Sequence, residues 1–300
     1  MLYSHQFAIA GFTEPVVFPG FSSGSFGVAI FFAMSGYLVS KSWKGDPNLG
    51  RFIARRMLRI WPALAVTVVL LTLGAGVFRG RAALPFLVNA AFIPWDGDFF
   101  KGAYTELNGS LWTIPREVLC YIGICTLGLL WRHGLGWPAL GALAAATAAV
   151  LLVGRGGRMF YLGSYFVVGA LACHVKVPGK VALASFAAGI VAAIAGANLM
   201  VTSLLLLPLP VVYVGCQSWP MLRSAGRFGD LSYGLYLWAW PMTQIGVALF
   251  GKDAPLPALL VWTLLSTTVL AWLSWHLIEK RALRLKPRPR ARAEVAVTPV

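Results

Sequence analysis

The sequence predicts an all-α protein, a polytopic integral membrane helical bundle of about ten transmembrane helices with one further short re-entrant or interfacial helix. Of the 300 residues, 58% are hydrophobic and only 12% are charged, which would leave a soluble protein short of charged surface. Apolar stretches long enough to cross a ~30 Å hydrocarbon core recur from end to end. Since no polar segment is large enough for a soluble module, we expect one membrane domain over residues 1–285.

Nine stretches have the roughly 20 mostly apolar residues that a transmembrane helix needs. They run approximately over 26–42, 57–78, 115–131, 137–153, 159–175, 180–198, 199–216, 230–250 and 256–276. The apolar stretch before Phe12 is too short to span, and we expect it to be the outer half of a first helix that begins upstream of Met1. A cleaved signal peptide is the weaker interpretation, because the basic n-region and the small-residue cleavage site are missing.

Basic residues predict how the protein is oriented. The apolar stretch 82–94 is short and flanked by charged residues, so we interpret it as re-entrant or interfacial. With ten spans and an inside start, most of the 25 Lys and Arg residues fall in cytoplasmic loops or in the tail 286–300. The positive-inside rule then predicts that both termini are cytoplasmic. We expect the basic tail to be disordered, and a topological anchor explains it better than a nucleic-acid or anionic-lipid patch.

Several enzyme classes lose their usual sequence support. No histidine begins the H-x4-D pattern of soluble acyltransferases, and the chain has no G-x-S-x-G, H-E-x-x-H or G-x4-G-K-[ST] pattern. The net charge of +15 is spread between apolar segments and does not form one basic face. We therefore predict no nucleic-acid partner, no metal site and no permanently bound cofactor.

Ionisable residues at membrane depth are functional candidates, because charge is costly in hydrocarbon. His5 lies in the first apolar stretch, and a histidine can act as a general base. Arg56 and Arg59 share a helical face, and guanidinium groups bind phosphates bidentately. Each candidate also has a plainer explanation. His5 could be an interfacial histidine, the two arginines could be positive-inside anchors, and Glu117 could pair with Arg116.

Six segments in a fixed order point to a family. They are His5 in the first stretch, FFAMSGYLVSKSW (31–43), RFIARRMLRIWPA (51–63), NGSLWTIPREVLCYI (108–122), LSYGLYLWAWP (231–241) and WHLIEKRALR (275–284). Over nearly the whole chain this set resembles the membrane-bound acyltransferase 3 family, the bacterial sugar O-acyltransferases. Ala29 stands where that family commonly has an acidic residue, and Ala239 stands where it commonly has histidine. The family's first-helix arginine would lie upstream of Met1.

The resemblance implies an O-acyltransferase of the bacterial inner membrane. It would take an acyl group, acetyl in our reading, from coenzyme A on the inner side and pass it to a hydroxyl of a sugar or glycolipid acceptor at the outer face. Acyl-CoA would be a co-substrate. A transporter or flippase for a lipid-linked glycan is the alternative from another class, since both use polar groups at membrane depth. An inactive, truncated family member is a second alternative, and the sequence does not indicate an oligomeric state.

The resemblance also implies roles for particular residues. His5 would be the general base or an acyl relay. Arg56 and Arg59 would hold the donor phosphates. Glu117 would complete the catalytic site by orienting the histidine or binding a sugar hydroxyl. Four residues would lie near the acceptor: Asn108, Ser110, Trp112, whose ring could stack on a sugar, and Tyr121.

Overall fold

The computed structural model describes residues 2–18, 21–79, 108–136, 138–139, 142, 158–175, 177–217 and 229–287. Its helices are α1 (Leu2–Ala10), α2 (Ser23–Gly45), α3 (Leu49–Arg79), α4 (Thr113–Arg132), α5 (Arg158–Ala172), α6 (Gly179–Ile194), α7 (Leu199–Leu206), α8 (Pro208–Cys216), α9 (Ser232–Phe250), α10 (Leu256–Ser274) and α11 (Lys280–Arg284). A π-helical turn, Trp275–Glu279, joins α10 to α11, and an antiparallel hairpin of β1 (Val16–Phe18) and β2 (Phe21–Ser22) precedes α2. Apart from this hairpin, the described elements are helical, as predicted.

Five described helical segments are long and apolar enough to cross a membrane. They are Ser23–Gly45, Leu49–Gly74, Thr113–Arg132, Leu199–Cys216 and Leu256–Arg284, and each coincides with a predicted span. The predicted spans 159–175 and 180–198 correspond to shorter apolar helices, and 230–250 corresponds to α9. The stretch 82–94, most of 137–153 and nearly all of the tail lie outside the described residues. The protein therefore crosses the membrane several times, and the count of ten stays a prediction.

Two helices extend further than the sequence predicted. The helix α3 begins at Leu49 and not near residue 57, because the arginine-rich stretch is itself helical. Arg56 and Arg59 consequently lie roughly two to three turns inside the helix. The last helix passes through the π-helical turn and ends at Arg284, beyond the predicted end near 276.

Glycines bring the backbones of α2 and α5 into direct contact. A Cβ atom on Gly36 would lie 2.0 Å from the carbonyl oxygen of Phe166, and one on Gly169 would lie 2.0 Å from the carbonyl oxygen of Ala33. Small residues allow this close approach, which is a common way of packing helices in membranes. The contact fixes α2, whose first turns line the cavity described next.

Candidate active site

A buried glutamine fixes the first helix to the bundle. Gln6 Nε2 donates hydrogen bonds to Thr243 Oγ1 of α9 at 3.1 Å and to Thr263 Oγ1 of α10 at 2.9 Å. All three side chains are fully buried, and no water competes for these bonds within a membrane domain. They fix the rotation of α1 about its axis and therefore the direction of His5, the preceding residue. Sequence reasoning missed Gln6, although an amide beside a histidine in an apolar stretch was an available signal.

A cavity of about 640 Å³ lies beside His5. It is bounded by α1, the first turns of α2, the residues that lead into α4, and parts of α5 and α9. Its lining includes His5, Glu14, Trp112, Tyr161, Tyr165 and Trp240. Two of the residues predicted for the site, His5 and Trp112, thus meet in one space. Aromatic rings beside a few polar groups are typical of a site that binds sugars or other small polar molecules.

His5 and Trp240 each present a polar atom without a partner. His5 is 8% exposed, and its ring meets the ring of Trp240 edge to face, with 5.1 Å between the centroids. Within the described residues, His5 Nδ1 and Trp240 Nε1 are buried and have no hydrogen-bond partner. Buried polar atoms are nearly always paired, so two such orphans in one cavity indicate a place for a ligand. The imidazole nitrogen can accept a proton, and the indole N–H can donate a hydrogen bond.

Glu14 is a carboxylate of the cavity that sequence reasoning missed. Its Oε1 atom accepts hydrogen bonds from Ser4 Oγ at 2.7 Å, Ser23 Oγ at 2.9 Å and the backbone N–H of Gly24 at 2.7 Å. Partial burial works against ionisation, but these bonds outweigh it and hold the pKa of Glu14 below its usual value. The carboxylate is therefore charged at neutral pH. Its place in the cavity wall depends on contacts with α1 and α2, which no local sequence pattern predicts.

Asn108 and Ser110 hold the approach to α4 in place. Asn108 Nδ2 donates to the carbonyl oxygen of Leu237 at 2.8 Å, and Asn108 Oδ1 accepts from Ser110 Oγ at 2.6 Å. Both side chains are buried and neither lines the cavity, whereas Gly109 between them does. A Cβ atom on Gly109 would lie 2.5 Å from Cζ2 of Trp240. Asn108 and Ser110 thus position this loop against Trp240, and the predicted contact with an acceptor stays a prediction.

Glu117 lies outside the cavity, in a second polar cluster. Its Oε1 atom accepts a hydrogen bond from Ser35 Oγ of α2 at 3.2 Å and another from the hydroxyl group of Tyr121, one turn further along α4. Neither hydrogen bond leads to His5, and neither Glu117 nor Tyr121 lines the cavity. The structure therefore does not join His5 and Glu117 as neighbours in one hydrogen-bonded pair.

Arg56 packs on aromatic rings beside this cluster. Its guanidinium carbon lies 5.7 Å from the centroid of the Phe52 ring and 5.7 Å from that of Tyr121. No carboxylate pairs with it among the described residues, and its Nε atom is buried without a hydrogen-bond partner. A guanidinium group held flat on aromatic rings is oriented but retains its capacity to bind an anion.

Arg59, the other member of the predicted pair, is engaged with carboxylates. Its Nη2 atom lies 2.7 Å from Asp230 Oδ2, and its Nη1 atom lies 3.6 Å from Glu279 Oε2. Glu279 is only 2% exposed and also accepts a hydrogen bond from Ser274 Oγ at 2.8 Å. Arg59 consequently ties α3 to the start of α9 and to the π-helical turn. Sequence reasoning treated Arg56 and Arg59 alike, and the structure gives them different surroundings.

Lys286 adds positive charge to the same region. Partial burial lowers the pKa of Lys286, and the nearby charges of Arg56, Arg59 and Arg55 lower it further. The charges of these arginines create a positive potential around Lys286, which attracts anions. The sequence placed Lys286 in the tail and gave no reason to bring it to α3. In the described parts of the chain, no group of three His, Cys, Asp or Glu side chains could hold a metal ion.

The cavity lies at the starts of α2 and α4, whereas Arg56 lies over Tyr121, about two turns into α4. The first turn of α2 and the residues leading into α4 line the cavity. At the far ends of these helices, Arg132 donates a hydrogen bond to the carbonyl oxygen of Pro47. There Asp46 also pairs with Arg51 and Arg55, each at 2.6 Å, and these two arginines hold the pKa of Asp46 well below its usual range. The protein therefore carries two polar regions separated along the helix axes.

Comparisons with known proteins agree with this architecture. A family model described as an acyltransferase domain matches residues 1–276. The chain is 28% identical to a protein of Shigella phage Sf6 called O-acetyl transferase, over 94% of this chain and 92% of that protein. It is 29% identical to nodulation protein 10 of Rhizobium leguminosarum bv. viciae, over 87% of this chain and 82% of the relative. No solved structure matches the chain.

The family assignment rests on the whole chain and not on one motif. The matching model covers residues 1–276 of the 300. That range includes the described lining of the cavity together with Arg56 and Arg59, and it ends before Glu279 and Lys286. Helices of spanning length and an O-acetyl transferase among the relatives agree with that match. The chain belongs to the membrane-bound acyltransferase 3 family and is a multi-pass membrane O-acyltransferase.

Proposed function

We propose that this enzyme transfers an acetyl group from coenzyme A to a hydroxyl group of a sugar-containing acceptor, with His5 as the general base. One observation carries the proposal: among the described residues His5 Nδ1 is buried without a hydrogen-bond partner, in a cavity that Trp112 and Trp240 also line. A neutral imidazole in that position can take a proton from a hydroxyl group. The aromatic rings offer a surface on which a sugar ring can stack.

The donor would bind further along α4 than the cavity, where Arg56 lies over Tyr121. Arg56 is oriented on two aromatic rings and lacks a carboxylate partner among the described residues, so it is the better phosphate ligand of the two predicted arginines. Lys286 would supply a second positive charge. Arg59, already paired with Asp230 and Glu279, would mainly maintain the local structure. The phosphates of coenzyme A are the anions that this cluster fits best.

The two regions are close enough for one extended donor to reach both. Trp112 lines the cavity, and Tyr121 lies under Arg56. These residues are nine positions apart at α4, which corresponds to about 14 Å along a helix axis. The flexible arm of coenzyme A would run along this distance, past Ser35 and Glu117. With the phosphates at the predicted cytoplasmic side, the thioester would arrive in a cavity at the predicted outer side.

The reaction then needs one base and one hydrogen-bond donor. His5 takes the proton from the acceptor hydroxyl group while the hydroxyl oxygen attacks the thioester carbonyl carbon. The carbon–sulfur bond breaks, the new carbon–oxygen ester bond forms, and the leaving thiolate of coenzyme A takes the proton that His5 holds, which restores the neutral base. Negative charge develops on the carbonyl oxygen during attack, and Trp240 Nε1, which is buried and has no hydrogen-bond partner in the described part of the chain, would donate to it. In this scheme Glu117 orients Tyr121 and α2 and takes no proton from the acceptor.

Label transfer tests the proposal. The purified protein in lipid nanodiscs would receive acetyl-CoA labelled in the acetyl group and crude envelope glycolipid. We expect label in the glycan, released by mild alkali as an ester, and transfer at least about 100-fold slower with His5→Ala. His133→Ala is the matched control, since His133 is exposed at the far end of α4. Glycolipid movement across the bilayer without any label transfer would overturn the proposal in favour of a transporter.

A further inference from the structure

The carboxylate of Glu14 is held in one orientation at the N-terminal end of α2. The hydrogen bonds from Ser4, Ser23 and Gly24 all end on Oε1, and the side chain of Ser22 also stabilises the carboxylate. Gly24 is required for this arrangement, because a Cβ atom there would lie 2.4 Å from Ser4 Oγ and 3.2 Å from Glu14 Oε1. The carboxylate is thus built into the cavity wall.

The start of α2 also stabilises the negative charge. The backbone N–H of Gly24 lies in the first turn of the helix, where unpaired N–H groups and the helix dipole favour an anion. Three donors on one oxygen favour the ionised form further. Glu14 therefore supplies a permanent negative charge to the cavity at neutral pH.

No described residue of the cavity lining balances that charge. Apart from Glu14, the described lining consists of His5, serines, glycines, aromatic residues and aliphatic residues. Arg116 follows Trp112 in the chain, and its guanidinium group lies over the ring of Trp112, 4.8 Å from its centroid, and donates to the carbonyl oxygen of Trp112 at 2.5 Å. Arg116 does not line the cavity.

We propose that Glu14 makes the cavity selective for neutral or amine-bearing sugars and excludes sugars with a carboxylate or phosphate near the reacting hydroxyl group. This inference rests on the proposed function, because it assumes that the cavity holds the acceptor. Oε2 of Glu14 would accept a hydrogen bond from a sugar hydroxyl or ammonium group, and the negative charge of the carboxylate would strengthen that bond. A second negative charge about 6 Å away, at an effective dielectric constant of about 20, would weaken binding by on the order of 100-fold.

The test compares two matched sugars in binding and in turnover. The probes are a neutral glucose trisaccharide and the same trisaccharide with glucuronic acid in place of one glucose. Equilibrium binding to the protein in nanodiscs is measured without a donor, and acetylation is measured with acetyl-CoA. We expect the wild type to prefer the neutral sugar by on the order of 100-fold and E14Q to reduce that preference at least about 10-fold. Asp253→Asn, which removes an exposed carboxylate between α9 and α10, should leave it unchanged.

The outcomes separate this inference from the proposed function. Equal binding of both sugars by the wild type, an unchanged preference in E14Q, or no binding of the neutral sugar would each overturn the selectivity. A preference in binding that E14Q abolishes, without acetylation of either sugar, would support the selectivity and count against the proposed reaction. Retained binding of the neutral sugar by E14Q shows that the variant is folded.

Discussion

The guanidinium group of Arg56 lies over the ring of Tyr121, with 5.7 Å between Cζ and the ring centroid. The hydroxyl group of the same tyrosine donates a hydrogen bond to Glu117. One side chain therefore links a cation of α3 to a carboxylate of α4 without a direct ion pair between them. This arrangement orients Arg56 and keeps its charge available for a ligand.

Replacing Arg56 should weaken donor binding more than it weakens the fold. We expect R56A to raise the KM for acetyl-CoA roughly 10-fold or more, because one charge-assisted phosphate contact contributes about 1.5–3 kcal/mol. The KM for the acceptor should change little. R284A, which removes an exposed arginine from α11, is the control. An equal rise in both KM values, or a similar effect of R284A, would contradict a donor site at Arg56.

Replacing Arg59 should act on stability first. R59A leaves the carboxylate of Glu279, which is 2% exposed, without its cation, and an uncompensated buried charge destabilises a protein strongly. We expect a lower thermal midpoint in detergent and a partial recovery in R59A/E279Q, since glutamine removes the stranded charge. A double variant no more stable than R59A would show that the pair does not act in this way.

Removing His5 should slow the chemical step strongly. A general base contributes about 10²–10⁴-fold to the rate, so H5A should lower kcat by that factor. Acceptor binding should persist, since the aromatic lining remains. Single-turnover acetylation measures the step directly. Activity of H5A within a few-fold of the wild type would exclude His5 as the base.

Trp240 tests the assignment of the oxyanion donor. W240F keeps an aromatic ring against His5 but lacks the N–H group. Loss of one such donor costs about 10²–10³-fold in kcat, and the KM for the acceptor should stay close to that of the wild type. Trp272→Phe is the control, because Trp272 is 50% exposed on α10. A W240F enzyme with normal kcat and a raised acceptor KM would indicate a stacking role instead.

The glycine contact between α2 and α5 should tolerate no side chain. G36A would place a methyl group 2.0 Å from a carbonyl oxygen of α5, so the helices must separate and the protein should express poorly or melt at a lower temperature. G163A is matched to it, because Gly163 also lies in this helix pair but has open space around it. Equal stability of the two variants would mean that the helices do not pack as described.

Membrane helices and several site residues could be predicted from the sequence, each for a physical reason. The length of the apolar stretches fixes where helices can span, and five predicted spans match described segments. The predicted start of α3, near residue 57, was wrong, because charged residues limit an apolar stretch but do not stop a helix, and α3 begins at Leu49. His5, Arg56 and Glu117 stood out because charge is rare at membrane depth.

Contacts between distant segments could not be predicted. Gln6 donates hydrogen bonds to Thr243 and Thr263, which are 237 and 257 positions away in the sequence. Arg59 pairs with Asp230, which is 171 positions away. Nothing in the local pattern of either residue specifies these partners. Glu14 was missed because it lies in a loop, where a carboxylate is ordinary, and its function follows only from the folding of α1 onto α2.

The Gly36 contact also bears on how this enzyme can change over evolutionary time. The backbones of α2 and α5 touch at Gly36 and Gly169. The spacing of the two helices is therefore set by the backbone itself, and substitutions at these glycines cannot adjust it in small steps. The glycine contact thus keeps α2 and α5 at a constant distance beside the cavity. We expect outward-facing positions on α2 and α5 to vary freely, while the identity of the ligand in the cavity would change chiefly through the loops and rings that line it.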